Sequence, residues 1–163
     1  MTQAVDTKIK FYSSKIRAKR NSRILAIQCI YAYETWLYHL DSVDINQLII
    51  DVASINNFDL FDSTKKDPID KKYLIHMIKG AIASLKELDH NASLYLAHDW
   101  KVERLPKLVK NVIRLGIYEL INTNDLDKSI IINEYLDIAK LFNHEGEVGF
   151  INTVLDKVSK ENL

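Results

Sequence analysis

The sequence is short of the residues that most catalytic and extracellular architectures depend on. It has one cysteine, Cys29, so no internal disulfide can form. A single thiol inside the apolar run 24–33 reads as a buried, reduced side chain. Four glycines and two prolines in 163 residues leave little material for tight turns and argue against a many-stranded β architecture. No uninterrupted apolar run approaches the ~18 residues of a membrane span, and the N-terminus lacks the hydrophobic core of a signal peptide. A reducing, cytoplasmic setting with no membrane partner is expected. The five histidines (39, 76, 90, 98 and 144) are scattered, and neither a His-Glu-x-x-His pair nor a zinc knuckle can be assembled. There is no glycine-rich phosphate loop and no nucleophile elbow. Residues 146–149 have the spacing of a KH-type loop but no surrounding sheet and an acid where phosphate would sit. No catalytic residues, metal or cofactor are expected, and the enzyme class is set aside.

What is present favours helices. The apolar content of 47% can supply one core, and Leu, Ile, Lys, Ala and Asp dominate. The formal net charge of zero conceals a polarity. Residues 7–33 hold seven basic side chains (Lys8, Lys10, Lys15, Arg17, Lys19, Arg20, Arg23) and no acid, which leaves 15 basic and 22 acidic residues elsewhere. The head is therefore +7 and the remainder −7. Such a division points to a polyanion met by the N-terminal segment and a basic partner met by the body.

Periodicity divides the chain into a flexible basic tail over residues 1–14 and a single helical domain over 15–163. The first helix is predicted from about Lys15 to Leu40, with Ala26, Ile30, Tyr33, Leu37 and Leu40 on one buried stripe and Ile24, Ile27 and Tyr31 on another. Arg20 and Arg23 precede its apolar part and are expected to be exposed. Asp44 with Gln47 resembles a capping box for a second helix. Asp67-Pro68 predicts the start of a third, running to about Leu88, followed by a short helix over 91–99. Pro106 opens a fifth to about Thr123, and Asp127 caps a sixth through Phe142. Asn143 is a candidate left-handed stop, and Glu145 and Glu147 favour a final helix.

The basic head carries the functional reading. Cations in the first turn of a helix oppose its dipole at about 0.3–1 kcal/mol each, so their accumulation there suggests retention for an anionic ligand. Phosphate suits both helix-start N–H groups and arginine forks. Gln28 and Tyr31 follow on the same helix and offer base-edge hydrogen bonding and stacking to a single strand. A core tyrosine explains Tyr31 equally well.

Four blocks resemble the NusB family of transcription antitermination factors. They are Lys19-Arg-Asn-Ser-Arg-Ile-Leu-Ala-Ile-Gln-Cys-Ile-Tyr31, Ile113-Arg-Leu-Gly-Ile-Tyr-Glu-Leu120, Ile132-Asn-Glu-Tyr-Leu-Asp-Ile-Ala-Lys140 and Phe150-Ile-Asn-Thr-Val-Leu-Asp-Lys157. They occur in family order and spacing across residues 17–158. The resemblance implies an all-α fold of about seven helices in two packed bundles. It implies a non-catalytic adaptor that joins ribosomal protein NusE to bind boxA-type single-stranded RNA of ribosomal RNA transcripts and acts on the RNA polymerase elongation complex. RNA contact carries over to Lys19, Arg20 and Arg23, with Lys15 and Arg17 as extensions and Phe150 as a contribution from the last helix. Gly149 and Thr153 depart from the Lys and Gly usual there, and Val109 replaces a frequent acid. NusB-like domains also begin certain ribosomal RNA cytosine methyltransferases, which is the alternative reading; the catalytic domain such an enzyme needs would follow this segment.

Overall fold

The computed structural model describes the backbone of residues 2–58, 60 and 68–161. These residues form seven α-helices: α1 (Thr2–His39), α2 (Ile45–Ile55), α3 (Lys71–Ala83), α4 (Leu85–Tyr95), α5 (Lys107–Asn122), α6 (Lys128–Leu141) and α7 (Val148–Glu161). Single 3-10 turns at Val102–Arg104 and Glu145–Glu147 precede α5 and α7. No strand occurs among the described residues, as the composition requires. The chain divides into two compact units, residues 1–76 and 77–163, with the division inside α3.

In the first unit α1 packs against α2. Leu25, Ala26, Ile27, Cys29 and Ile30 of α1 and Leu48, Ile49, Val52 and Ala53 of α2 are buried. Asp44 caps α2 through its carboxylate, which accepts from the N–H groups of Asn46 (3.0 Å) and Gln47 (3.2 Å). The reciprocal half of the capping box does not form, because the Gln47 amide donates instead to Asp51, one turn on, at 2.9 Å. The expected start of α1 near Lys15 is corrected to Thr2. Residues 2–14 contain no glycine or proline, and extending an existing helix needs no new nucleus. The buried stripe also ends early, since Leu37 and Leu40 are exposed.

The third helix starts later than Asp67-Pro68 suggests, and Asp67 lies outside the described residues. Asp70 is the cap: its carboxylate accepts from Tyr73 N–H at 3.1 Å and its carbonyl from Leu74 N–H at 2.9 Å. The expected continuation to Leu88 is broken at Ser84. The Ser84 hydroxyl donates back to the Gly80 carbonyl at 2.8 Å, and its N–H makes a tightened bond to Ala81, competing with the regular ladder. The helix expected over 91–99 is therefore α4, ending at Tyr95.

In the second unit α5 is central, packed by α4, α6 and α7. Every residue from Asn111 to Leu120 is buried, so the charged groups among them need internal partners. Arg114 forms a fork on Asp89 of α4, Nε to Oδ1 at 2.6 Å and Nη2 to Oδ2 at 2.7 Å, while Nη1 donates to Asn111 at 3.1 Å. Glu119 accepts from the Tyr135 hydroxyl of α6 at 2.7 Å. Gly80 lets the Tyr118 ring lie directly on α3, since a Cβ there would collide with the phenol. Asp127 caps α6 by accepting from Ser129 N–H, and Asn143 takes the expected left-handed conformation, φ 61°. Among the described residues no helix is long and apolar enough to cross a membrane.

Candidate nucleic-acid interface

The basic residues expected to contact RNA stand in the interior of α1 and not at its start. Helix-dipole opposition fades beyond the first turn, and the helix-start N–H groups lie far from Lys15 to Arg23. The site therefore rests on side chains alone, and the expected help from helix-start amides is withdrawn.

At 3.6 residues per turn these side chains fall into two rows. Lys15, Lys19 and Arg23 follow one another at intervals of four; Arg17, Arg20, Gln28 and Tyr31 lie along a neighbouring stripe. On that stripe Arg17 and Tyr31 are exposed, and Arg20 and Gln28 are half-buried. Tyr31 retains 41% of its surface, which decides its case: it is an accessible ring and not a core tyrosine. The Gln28 Oε1 atom is buried and has no hydrogen-bond partner among the described residues.

The other row is built differently. Lys15 is exposed, Lys19 half-buried and Arg23 only 2% exposed, so the expectation that Arg23 projects into solvent is overturned. Tyr73 on α3 lies against this row. Its ring lies under the Lys19 ammonium, 4.9 Å from the centroid, and under the Arg23 guanidinium, 5.6 Å away. Like charges one turn apart destabilise a helix by about 0.2–0.5 kcal/mol. Each cation over a ring recovers about 0.5–2 kcal/mol, the more so when desolvated, so the aromatic contact outweighs the repulsion. A clasp next to the ring fixes this arrangement. The Asn21 amide donates to the Pro68 carbonyl at 3.0 Å, and Ser22 Oγ accepts from Asp70 N–H at 3.0 Å. This platform was not legible in the sequence, because nothing local links position 73 to positions 19 and 23.

Phe150 belongs to the second unit, in the first turn of α7. Its ring is tilted against Trp100 at 5.5 Å between centroids, beside a cavity of about 350 Å³ that Leu94, Tyr95 and Lys157 also line. Trp100 was not singled out from sequence. Burial raises the Cys29 thiol from 9.0 to about 12, consistent with a core thiol. Among the described residues no group of three or more potential ligands is placed to hold a metal ion.

Comparison with known proteins agrees with the fold. The family model described as the NusB family matches residues 20–160. The transcription antitermination protein NusB of Rickettsia bellii (strain OSU 85-389) is 34% identical over 152 residues, covering 92% of this chain and 95% of that relative. The protein of the same name from Sphingopyxis alaskensis is 28% identical over 149 residues, covering 91% of this chain and 97% of its own. Among solved structures, T. maritima NusB superposes with a TM-score of 0.70 at 26% identity, covering 87% of this chain and 90% of that one. A crystal structure of the antitermination factors NusB and NusE in complex with double-stranded RNA shares the fold, with a TM-score of 0.71 at 21% identity, covering 89% of this chain and 98% of that one.

Proposed function

The chain belongs to the NusB family, and from that premise we propose that it is a non-catalytic transcription antitermination factor that binds boxA-type single-stranded RNA of ribosomal RNA transcripts together with ribosomal protein NusE. In this reading it acts in the cytoplasm on the RNA polymerase elongation complex, and residues 15–163 serve as one RNA-binding domain. Lys15, Arg17, Lys19 and Arg20 meet phosphates. Gln28 and Tyr31 meet bases, Arg23 supports the site from beneath, and Phe150 of α7 makes an RNA contact of its own.

The observation that carries the proposal is the stripe of α1 on which two arginines lead past a half-buried glutamine to an exposed tyrosine ring. Cations followed by a hydrogen-bonding group and a stacking surface are what an unpaired strand offers contacts for; a paired helix keeps its bases stacked and their edges in its grooves. The −7 balance outside the head favours a basic protein such as NusE as neighbour.

Titration of labelled boxA-like RNA, alone, annealed to its complement, and with NusE present, tests the reading. Single-strand preference and a gain from NusE of about 1–3 kcal/mol are expected. Equal affinity for the duplex removes the base-contact roles of Gln28 and Tyr31, and no gain from NusE removes the adaptor role.

A further inference from the structure

We infer that Tyr73 is a positioning residue for RNA binding: the face of its ring holds the Lys19 ammonium in the orientation that meets a phosphate, with Arg23 fixed below it. The inference rests on the RNA-binding reading of α1 and deepens it by adding a residue from another helix.

A free lysine on a helix surface is a strongly hydrated charge on a stem with four rotatable bonds, and ordering it on a ligand loses most of that freedom. Here the ordering is done in advance. The ring centroid is 4.9 Å from Lys19 Nζ and 5.6 Å from the Arg23 guanidinium, so one aromatic ring serves two cations a turn apart. The backbone that carries the ring is tied to α1. Asp70 caps the helix that carries Tyr73 by accepting from the Tyr73 N–H, and its own N–H is held by Ser22 Oγ, between Lys19 and Arg23. The Asn21 amide closes the same junction on the Pro68 carbonyl. Lys19 remains half-buried at the rim, with surface left for a ligand, whereas Arg23 does not. A tyrosine needed only to fill the core would have no reason to lie under two cations of the segment that reads as the RNA contact.

The test separates the electronic role of the ring from its bulk, using the full-length protein and a short labelled single-stranded RNA carrying a boxA-like sequence. Tyr73→Phe keeps the negative face of the ring; pentafluorophenylalanine at position 73 keeps the size and withdraws that face. The phenylalanine variant is expected to bind like the parent. The fluorinated variant is expected to lose one phosphate contact: a log affinity against log salt slope shallower by about 0.7, and about 5-fold weaker binding at 0.1 M salt. In that background Lys19→Ala is expected to have no further effect, although it weakens the parent. Parental affinity in the fluorinated variant, or an equal loss from Lys19→Ala in both backgrounds, overturns the inference while leaving the RNA-binding reading standing. Absence of RNA binding by the parent itself defeats both, and is told apart because no variant is then needed to see it.

Discussion

Replacing Arg17 and Arg20 together by glutamine removes two cations from the accessible stripe of α1. Arg17 is exposed and Arg20 half-buried, and glutamine has nearly the same helix propensity as arginine, so helix content should be retained. The effect on RNA follows from counterion release. Lys15, Arg17, Lys19 and Arg20 are the four cations between residues 13 and 23 that reach solvent, Arg23 being buried. At about −0.7 per neutralised phosphate of a single strand, these give a slope of about −3 for log affinity against log salt. The double variant should show a slope of about −1.4. If the lost contacts contribute nothing at 1 M salt, its affinity at 0.1 M should fall about 25-fold, or about 1.9 kcal/mol. Fluorescence anisotropy over a salt series, with circular dichroism as the fold control, measures both quantities. Parallel lines for parent and variant would show that neither arginine meets a phosphate. Arg23→Gln, in contrast, should lower stability and leave the slope nearly unchanged.

Leu115 is fully buried at the centre of α5, so Leu115→Ala should reduce stability by about 2–5 kcal/mol in urea unfolding; a loss under about 0.5 kcal/mol would place that face in solvent. Asp89→Ala strands the Arg114 guanidinium, whose side chain is 4% exposed. Because the Asp89 side chain is 32% exposed, a loss of about 2–3 kcal/mol is expected, below the 3–5 kcal/mol of a fully buried pair, and a loss under about 1 kcal/mol would mean that water already serves Arg114. Cys29 should resist iodoacetamide at pH 8 in the folded protein and react on unfolding, because burial lifts its thiol to about 12. The fold holds the neutral thiol, so this contribution to stability is complete below pH 9.0 and is lost as pH rises from there to about 12; rapid alkylation of folded protein would show the thiol to be accessible.

What could be read from the sequence was what is decided within one turn of the chain. Asp44 and Asp127 were legible as caps because an N-cap carboxylate bonds to N–H groups two or three residues away. Asn143 was legible because a left-handed stop depends on its own side chain. The break at Ser84 was not, since neither glycine nor proline marks it and a serine hydroxyl bonds outward or backward according to surroundings. At the candidate site, the residue types of the basic stripe were visible, and their division into two rows was implicit in the helical period. The burial of Arg23 was hidden. It goes with tertiary contacts, among them a ring fifty positions away, and a basic residue ahead of an apolar run reads as exposed until such contacts are placed.

The clasp at the base of this platform joins Asn21 to Pro68 across 47 positions and Ser22 to Asp70 across 48. Closing a loop of that length has an entropic cost of about 3.4 kcal/mol beyond a constant term, more than two or three hydrogen bonds return. The contacts therefore form together with burial of α2 and the first turns of α3, and not before it. During synthesis the basic segment of α1 leaves the ribosome first and can become helical alone, but until position 73 has followed it carries its cations without their aromatic support. On the proposed reading of α1, competence for RNA would arrive with the closing of a long loop, and a growing chain would pass by a polyanion such as ribosomal RNA before its grip on RNA was complete.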